Sequence, residues 1–180
     1  MIITLVRHGE VLEEYQGKYN GHIDIGLSVN GKLQAKELGK KLKDRDFDRV
    51  YCSDLLRARE TLQAFELDLE VSYTKELREK SWGRHEGKSF DEIQKEGIEY
   101  ENFEQWIRAL DGENIDEYKE KIQHYFYKTL LKQESKNILV VTHAGVIKTI
   151  LHLTKNISLE EAFSIKLEYS SCISLDTTFL

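Results

Sequence analysis

The chain has 180 residues, 32 of them Asp or Glu against 26 Lys or Arg, and a formal net charge of −6. With 40% hydrophobic and 32% charged residues it reads as one soluble globular domain over residues 1–180, long enough to bury a core without staples. The acidic balance and the lack of a basic tract exclude nucleic acid as the main partner. The apolar opening is broken by Arg7, too early for a signal peptide or spanning helix, so no membrane partner and a cytoplasmic location are expected.

In chain order, apolar runs predict strands over Ile2–Val6, Arg49–Cys52, Leu69–Tyr73, Ile138–Thr142 and Cys172–Leu175, with a weaker one at Ser164–Leu167. Helical spacing lies between them. Residues 28–43 carry Leu33, Leu38 and Leu42 towards one face, with Ser28 or Asn30 as cap. Residues 54–65 follow the second strand, with Asp54 able to cap and Leu55, Leu62 and Phe65 able to pack. Residues 114–133 show an apolar side of Tyr118, Ile122, Tyr125 and Phe126, read as core, and residues 145–153 form a last helix after a strand. Strand and helix alternate at both ends of the chain. That order predicts an α/β fold, a three-layer αβα sandwich on a mostly parallel sheet. The stretch 76–134 is read as an excursion folding over the sheet edge as a small helical lid.

Ligands of open α/β sheets bind beyond the carboxyl ends of the strands. Three strands here end in Arg7-His8-Gly9-Glu10, in Cys52-Ser53-Asp54 with Arg57 and Arg59 just beyond, and in Thr142-His143-Ala144-Gly145. If these strands are parallel neighbours, two histidines and at least two arginines meet at one rim, a set suited to phosphate. Guanidinium matches phosphate oxygens in a planar fork. Neutral imidazole is a nucleophile near pH 7, and the helix after His143 offers free N–H groups.

These segments resemble the histidine phosphatase superfamily, which includes cofactor-dependent phosphoglycerate mutases and many small phosphatases. The resemblance rests on five ordered stretches: Leu5 to Glu10; Gly21 to Gly31 with Gln34-Ala35; Tyr51 to Ala58 with Thr61; Leu77 to Gly83 with Glu86-Gly87; and Val140 to Val146. It implies a phosphoglycerate mutase-like fold. It implies His8 as nucleophile, Arg7, Arg57 and His143 as ligands of the phosphoryl oxygens, and Glu79 as proton donor. It also implies contacts to substrate or phosphate from Asn20, Gly21 and the Ala144 N–H. No metal or cofactor enters this scheme. A free Glu titrates near ~4.3, so Glu79 must be held protonated, and an optimum on the acid side of neutral is expected.

Duller roles are assigned to the remaining candidates. Arg59 reads as a surface residue, His22 as a loop residue that borders substrate or is simply exposed, and His85, His124 and His152 as surface or helix-packing residues. Cys52 is not read as a nucleophile. Arg57 follows it one residue too soon for the cysteine-phosphatase loop, and Asp54 would place negative charge in the cradle. Cys52 and Cys172 are read as reduced thiols.

Val11-Leu12-Glu13-Glu14 after the first motif and a short lid favour hydrolysis over mutase activity. In Gly17 to His22 and Asn137 to His143 the chain looks more like short bacterial phosphatases, especially the α-ribazole phosphatase branch. A small phosphorylated metabolite is the expected partner, in a monomer or homodimer. Phosphoglycerate mutase-type transfer and a non-catalytic phosphate-binding module remain the alternatives. Gly26 stands where the family often has Pro, and His85 where it often has Trp.

Overall fold

A computed structural model describes residues 1–179. Its five-stranded sheet runs β3-β2-β4-β1-β5, with β1 at Ile2–Arg7, β2 at Arg49–Ser53, β3 at Val71–Thr74, β4 at Asn137–Thr142 and β5 at Cys172–Asp176. The first four strands in that order are parallel; β5 pairs antiparallel to β1. All five strands expected from apolar runs are present.

The central strand β4 is apolar on both faces because both faces are covered. Alternate residues enter opposite cores, as the two-residue period of a strand requires. Ile138 and Val140 join one cluster, Leu139 and Val141 the other. On the second face lie α1 (Val29–Leu42) and α2 (Leu56–Gln63), through Leu38, Leu42, Ala58 and Leu62. On the first lie α5 (Ile115–Lys128) and α6 (Ala144–Lys155), through Tyr118, Ile122, Phe126, Ile147 and Ile150. This is the expected αβα sandwich.

Several local expectations are corrected. Ser28 does cap α1, its hydroxyl accepting from the Gly31 N–H at 2.9 Å. Leu33, however, is 60% exposed, because the buried face runs through Gly31, Ala35, Leu38 and Leu42 and position 33 falls off it. Asp54 does not cap α2. The Leu56 N–H goes instead to Asp24 at 2.6 Å, and Asp54 binds Arg78 through two bonds of 2.7 and 2.6 Å. The weak strand at 164–167 is absent. Ser158 and Glu161 form a capping box that starts a helix, α7 (Leu159–Ser164), over its first residue.

The excursion 76–134 divides. Its end, α5, is a layer helix rather than a lid. Before α5, two short helices, α3 (Phe90–Gln94) and α4 (Phe103–Ala109), pack through Phe90, Tyr100 and Trp106. Trp106 donates its indole N–H to the Tyr19 hydroxyl at 3.0 Å, which ties this part to the early loop. Among the described residues, no helix is long and apolar enough to cross a membrane.

Candidate active site

Because β4 lies between β1 and β2, the three motif-bearing strand ends are adjacent. The His8 N–H extends the ladder to the Thr142 carbonyl at 3.0 Å. The rings of His8 and His143 consequently stand with centroids 5.1 Å apart, tilted by 60°. Two imidazoles encoded at opposite ends of the chain share one site.

The protonation pattern of His8 follows from its partner. Nδ1 lies 2.8 Å from the Gly9 carbonyl, which accepts but cannot donate, so Nδ1 carries the hydrogen. Burial, and then the charges of Arg57 and Arg7, hold this imidazole well below its ordinary value of 6.5. The ring is therefore neutral near pH 7 and Nε2 holds a free electron pair. His143 is fully buried and is likewise held low, by burial first and then by Arg57 and His8. Its Nε2 is 2.8 Å from the Ser53 hydroxyl, and its Nδ1 has no protein partner. Ser53 also receives the Leu55 N–H at 3.4 Å. When the serine hydroxyl donates to Nε2, the free Nδ1 becomes an N–H donor.

Arg57 is 2% exposed and binds the Gly21 and Ile23 carbonyls at 2.7 and 2.8 Å, fixing the early loop against α2. Burial lowers its guanidinium to about 10, partly offset by Glu79, Asp24 and Glu86, so it stays charged near neutrality. Arg7 donates to the Leu167 carbonyl, and its charged carbon lies 4.0 Å from the centre of the Tyr169 ring. Its buried Nε has no partner. Both guanidinium groups thus keep donors beyond those that position them.

Glu79 stands opposite. Its carboxylate accepts from the Gly145 N–H at 3.0 Å, from the Lys80 N–H at 3.0 Å and from the Tyr118 hydroxyl at 3.3 Å. The His22 ring donates to the Glu79 carbonyl at 2.9 Å, so His22 supports the loop that carries this carboxylate. The Asp54–Arg78 pair anchors the same loop one residue earlier.

A cavity of about 330 Å³ opens among these groups, lined by Arg7, His8, Asn20, Gly21, Arg57, Glu79 and Ala144, with five further residues. His143 lies behind it. Asn20 is held by its amide donating to the Tyr15 carbonyl at 2.7 Å, and Gly21 takes a φ of 48°, which favours glycine. Ala144 opens α6, where backbone N–H groups lack helical partners. Every sequence-predicted site residue therefore lies at this rim.

Other candidates do not. Arg59 is exposed, as expected, and stacks over Tyr73. His124 lies exposed on α5. His85 is not a surface residue: it is fully buried and its Nδ1 accepts the Asp111 N–H at 3.0 Å. Cys52 is fully buried and burial pushes its thiol up, which fits a packed, unreactive role. A wider depression of about 600 Å³ on α5, between Glu120 and Lys132, lies away from the strand ends.

Sequence reading missed Lys18, Tyr19, Trp82, Lys148 and Tyr169, which complete the lining. It also took Tyr118 as core alone. One signal was available: Lys148 falls one helical turn after Ala144, on the same side of α6.

The sequence profile described as the histidine phosphatase superfamily (branch 1) matches residues 3–178. The chain belongs to that family. It is 30% identical over 159 residues to the adenosylcobalamin/alpha-ribazole phosphatase of Escherichia coli, covering 84% of this chain and 77% of that one. It is 33% identical over 157 residues to the phosphoglycerate mutase-like protein 4 of Arabidopsis thaliana, covering 82% and 68%. The crystal structure of the alpha-ribazole phosphatase from Shigella flexneri superposes with a TM-score of 0.85 at 27% identity, over 99% of this chain and 92% of that one. Membership and these names support a phosphatase with the phosphoglycerate mutase-like fold.

Proposed function

We propose that this chain hydrolyses small phosphomonoesters through a covalent phosphohistidine at Nε2 of His8. One observation carries the reading: the Gly9 carbonyl forces the hydrogen onto Nδ1 of a buried neutral imidazole, leaving the other nitrogen as a nucleophile beside two guanidinium groups.

Phosphoryl transfer needs positioning and charge stabilisation above all. The Nε2 electron pair attacks phosphorus as the ester P–O bond breaks. Arg7, Arg57 and His143 hold the phosphoryl oxygens, and the loss of one such donor costs about a hundredfold or more in rate. The departing alkoxide takes a proton from Glu79. Water then attacks phosphorus, gives a proton back to Glu79, and the P–N bond breaks to release phosphate. Tyr118 and the Gly145 N–H hold the Glu79 carboxylate in place for both proton transfers.

The relatives named for α-ribazole phosphatase supply α-ribazole 5′-phosphate, of cobalamin biosynthesis, as one candidate substrate. The mutase-like relative supplies the alternative, phosphoryl transfer between phosphoglycerates, tested by offering 3-phosphoglycerate with its bisphosphate primer. The primary experiment is turnover of 4-nitrophenyl phosphate by the parent and by His8→Ala. Activity lost in the variant supports the reading; normal turnover in it ends the reading.

A further inference from the structure

The chain that leads into β5 is wired to the end of β1. The Arg7 N–H donates to the Ser171 carbonyl at 3.0 Å, and the Ser170 N–H donates to the His8 carbonyl at 3.1 Å. The Arg7 guanidinium donates to the Leu167 carbonyl. The Ser171 N–H turns back to the Glu168 carbonyl at 3.2 Å, so residues 167–171 form a tight turn against the two site residues. Ser170 takes a φ of 50°, in the left-handed region that serine seldom adopts. The hydroxyls of Ser170 and Ser171 are buried without a partner. Both features cost stability, and costs of this kind cluster at functional sites.

The turn presents Tyr169, half-buried, to the cavity. The charged carbon of Arg7 lies over its ring, 4.0 Å from the centre. The His8 imidazole has its centroid 5.8 Å from the same ring, tilted by 46°. Arg7 has little else to orient it. Its Nε has no partner, and among the described residues no carboxylate stands within salt-bridge distance. Two carboxylates act on it by charge, Glu79 and Glu168. Glu79 is engaged with the Gly145 N–H, the Lys80 N–H and Tyr118, and Glu168 is exposed and pairs with Lys166 at 2.6 Å. The Leu167 carbonyl restrains one nitrogen of the fork. The plane of the fork, which decides whether it can meet two phosphoryl oxygens at once, is left to the Tyr169 ring.

Resting on the phosphomonoesterase reading above, we infer that Tyr169 is a positioning residue of this reaction, its ring holding the Arg7 guanidinium beside His8 in the orientation that receives the phosphoryl oxygens. The task belongs to the ring face, and no proton passes through the hydroxyl. Phenylalanine therefore serves at 169 and an aliphatic side chain does not.

The test is a double-mutant cycle on the affinity for inorganic phosphate, measured by calorimetry with a melting curve for each protein. The proteins are the parent, Tyr169→Leu, Tyr169→Phe, Arg7→Met and the double variant Arg7→Met/Tyr169→Leu. Tyr169→Leu is expected to weaken phosphate about tenfold, the scale of a partly desolvated cation–π contact, and Tyr169→Phe to recover most of that loss. In the Arg7→Met background Tyr169→Leu should cost less than about twofold, because no guanidinium is left to orient. A residue that only props up the turn would cost the same in both backgrounds. Equal losses in the two backgrounds, parent-like affinity in a folded Tyr169→Leu, or Tyr169→Phe as weak as Tyr169→Leu overturns the inference. Tyr169→Met carries the same cycle where the melting curve shows Tyr169→Leu to be unfolded. No turnover of 4-nitrophenyl phosphate by the parent would count against the catalytic reading, while the phosphate affinities would still decide the role of Tyr169.

Discussion

Gly145→Ala separates the position of Glu79 from the stability of the fold. A Cβ added at 145 would stand 2.0 Å from Glu79 Oε1 and 3.0 Å from its carboxyl carbon. The carboxylate would have to retreat by about 1.4 Å to reach ordinary contact, weakening its bond from the Gly145 N–H. The displaced group is the end of a flexible side chain, and position 145 lies in the first turn of α6. Alanine is the better helix former there by about 1 kcal/mol, so little stability is lost. A misplacement of about 1 Å costs a catalytic group on the order of a hundredfold. The assay is kcat on glycerol phosphate and on 4-nitrophenyl phosphate, with a melting curve for each protein. Turnover of the alkyl ester is expected to fall about a hundredfold and that of the nitrophenyl ester far less, because nitrophenolate leaves without much protonation. The melting temperature should stay within a few degrees. A folded variant that turns over the alkyl ester within threefold of the parent would refute Glu79 as proton donor.

Three further outcomes follow from the same geometry. Lys80 is 1% exposed, and burial lowers its ammonium from 10.5 to about 8. The unfolded chain binds that proton more tightly, so the charged lysine costs stability below pH 8, a cost relieved as pH rises towards 10.5. Lys80→Met should therefore raise stability at pH 7 by about 1–2 kcal/mol in urea melts, less than the full shift because two carbonyl contacts are lost; a variant less stable at pH 7, or a gap unchanged at pH 10, contradicts this. Since burial, and then Arg57 and Arg7, hold His8 below 6.5, the nucleophile is lost only as pH falls past that lowered value. The acid limb of kcat/KM for 4-nitrophenyl phosphate should lie below 6.5, and a midpoint at 6.5 or higher would count against a neutral buried nucleophile. Ser53→Ala should lower kcat/KM about tenfold and shift the ¹⁵N resonances of His143 as its tautomers mix; unchanged resonances would remove Ser53 from the positioning of that ring.

Much of this site was legible because its parts sit at strand ends, where short apolar runs stop at polar residues. Arg7-His8 and His143 were readable for that reason, and the parallel order of β1, β4 and β2 brought them together, whereas the contact of Ser53 with His143 emerges only from the fold. Leu33 departs from the expectation because it lies five residues before Leu38, which turns it off the buried face, and the small residues Gly31 and Ala35 that hold that face give no apolar signal. Asp54 fits the cap position of α2 by residue type, yet Arg78 is the stronger partner for its carboxylate, and only the tertiary fold reveals it. Ser164–Leu167 looked strand-like until the capping box of α7 claimed its start. Tyr169 and Lys18 lie in irregular segments with no period to announce them. Tyr118 was legible as core, but its hydroxyl contact with Glu79 depends on how α5 docks against the loop after β3.

The central claim is a phosphoryl group carried on one ring nitrogen. Rapid acid-free quenching of the enzyme during turnover of a ³²P-labelled ester, followed by digestion, measures it directly. The account predicts acid-labile, base-stable label on the peptide containing His8, enriched in Glu79→Gln with a nitrophenyl donor and absent in His8→Ala. Label on another residue, or none in an enzyme that is turning over, would contradict it.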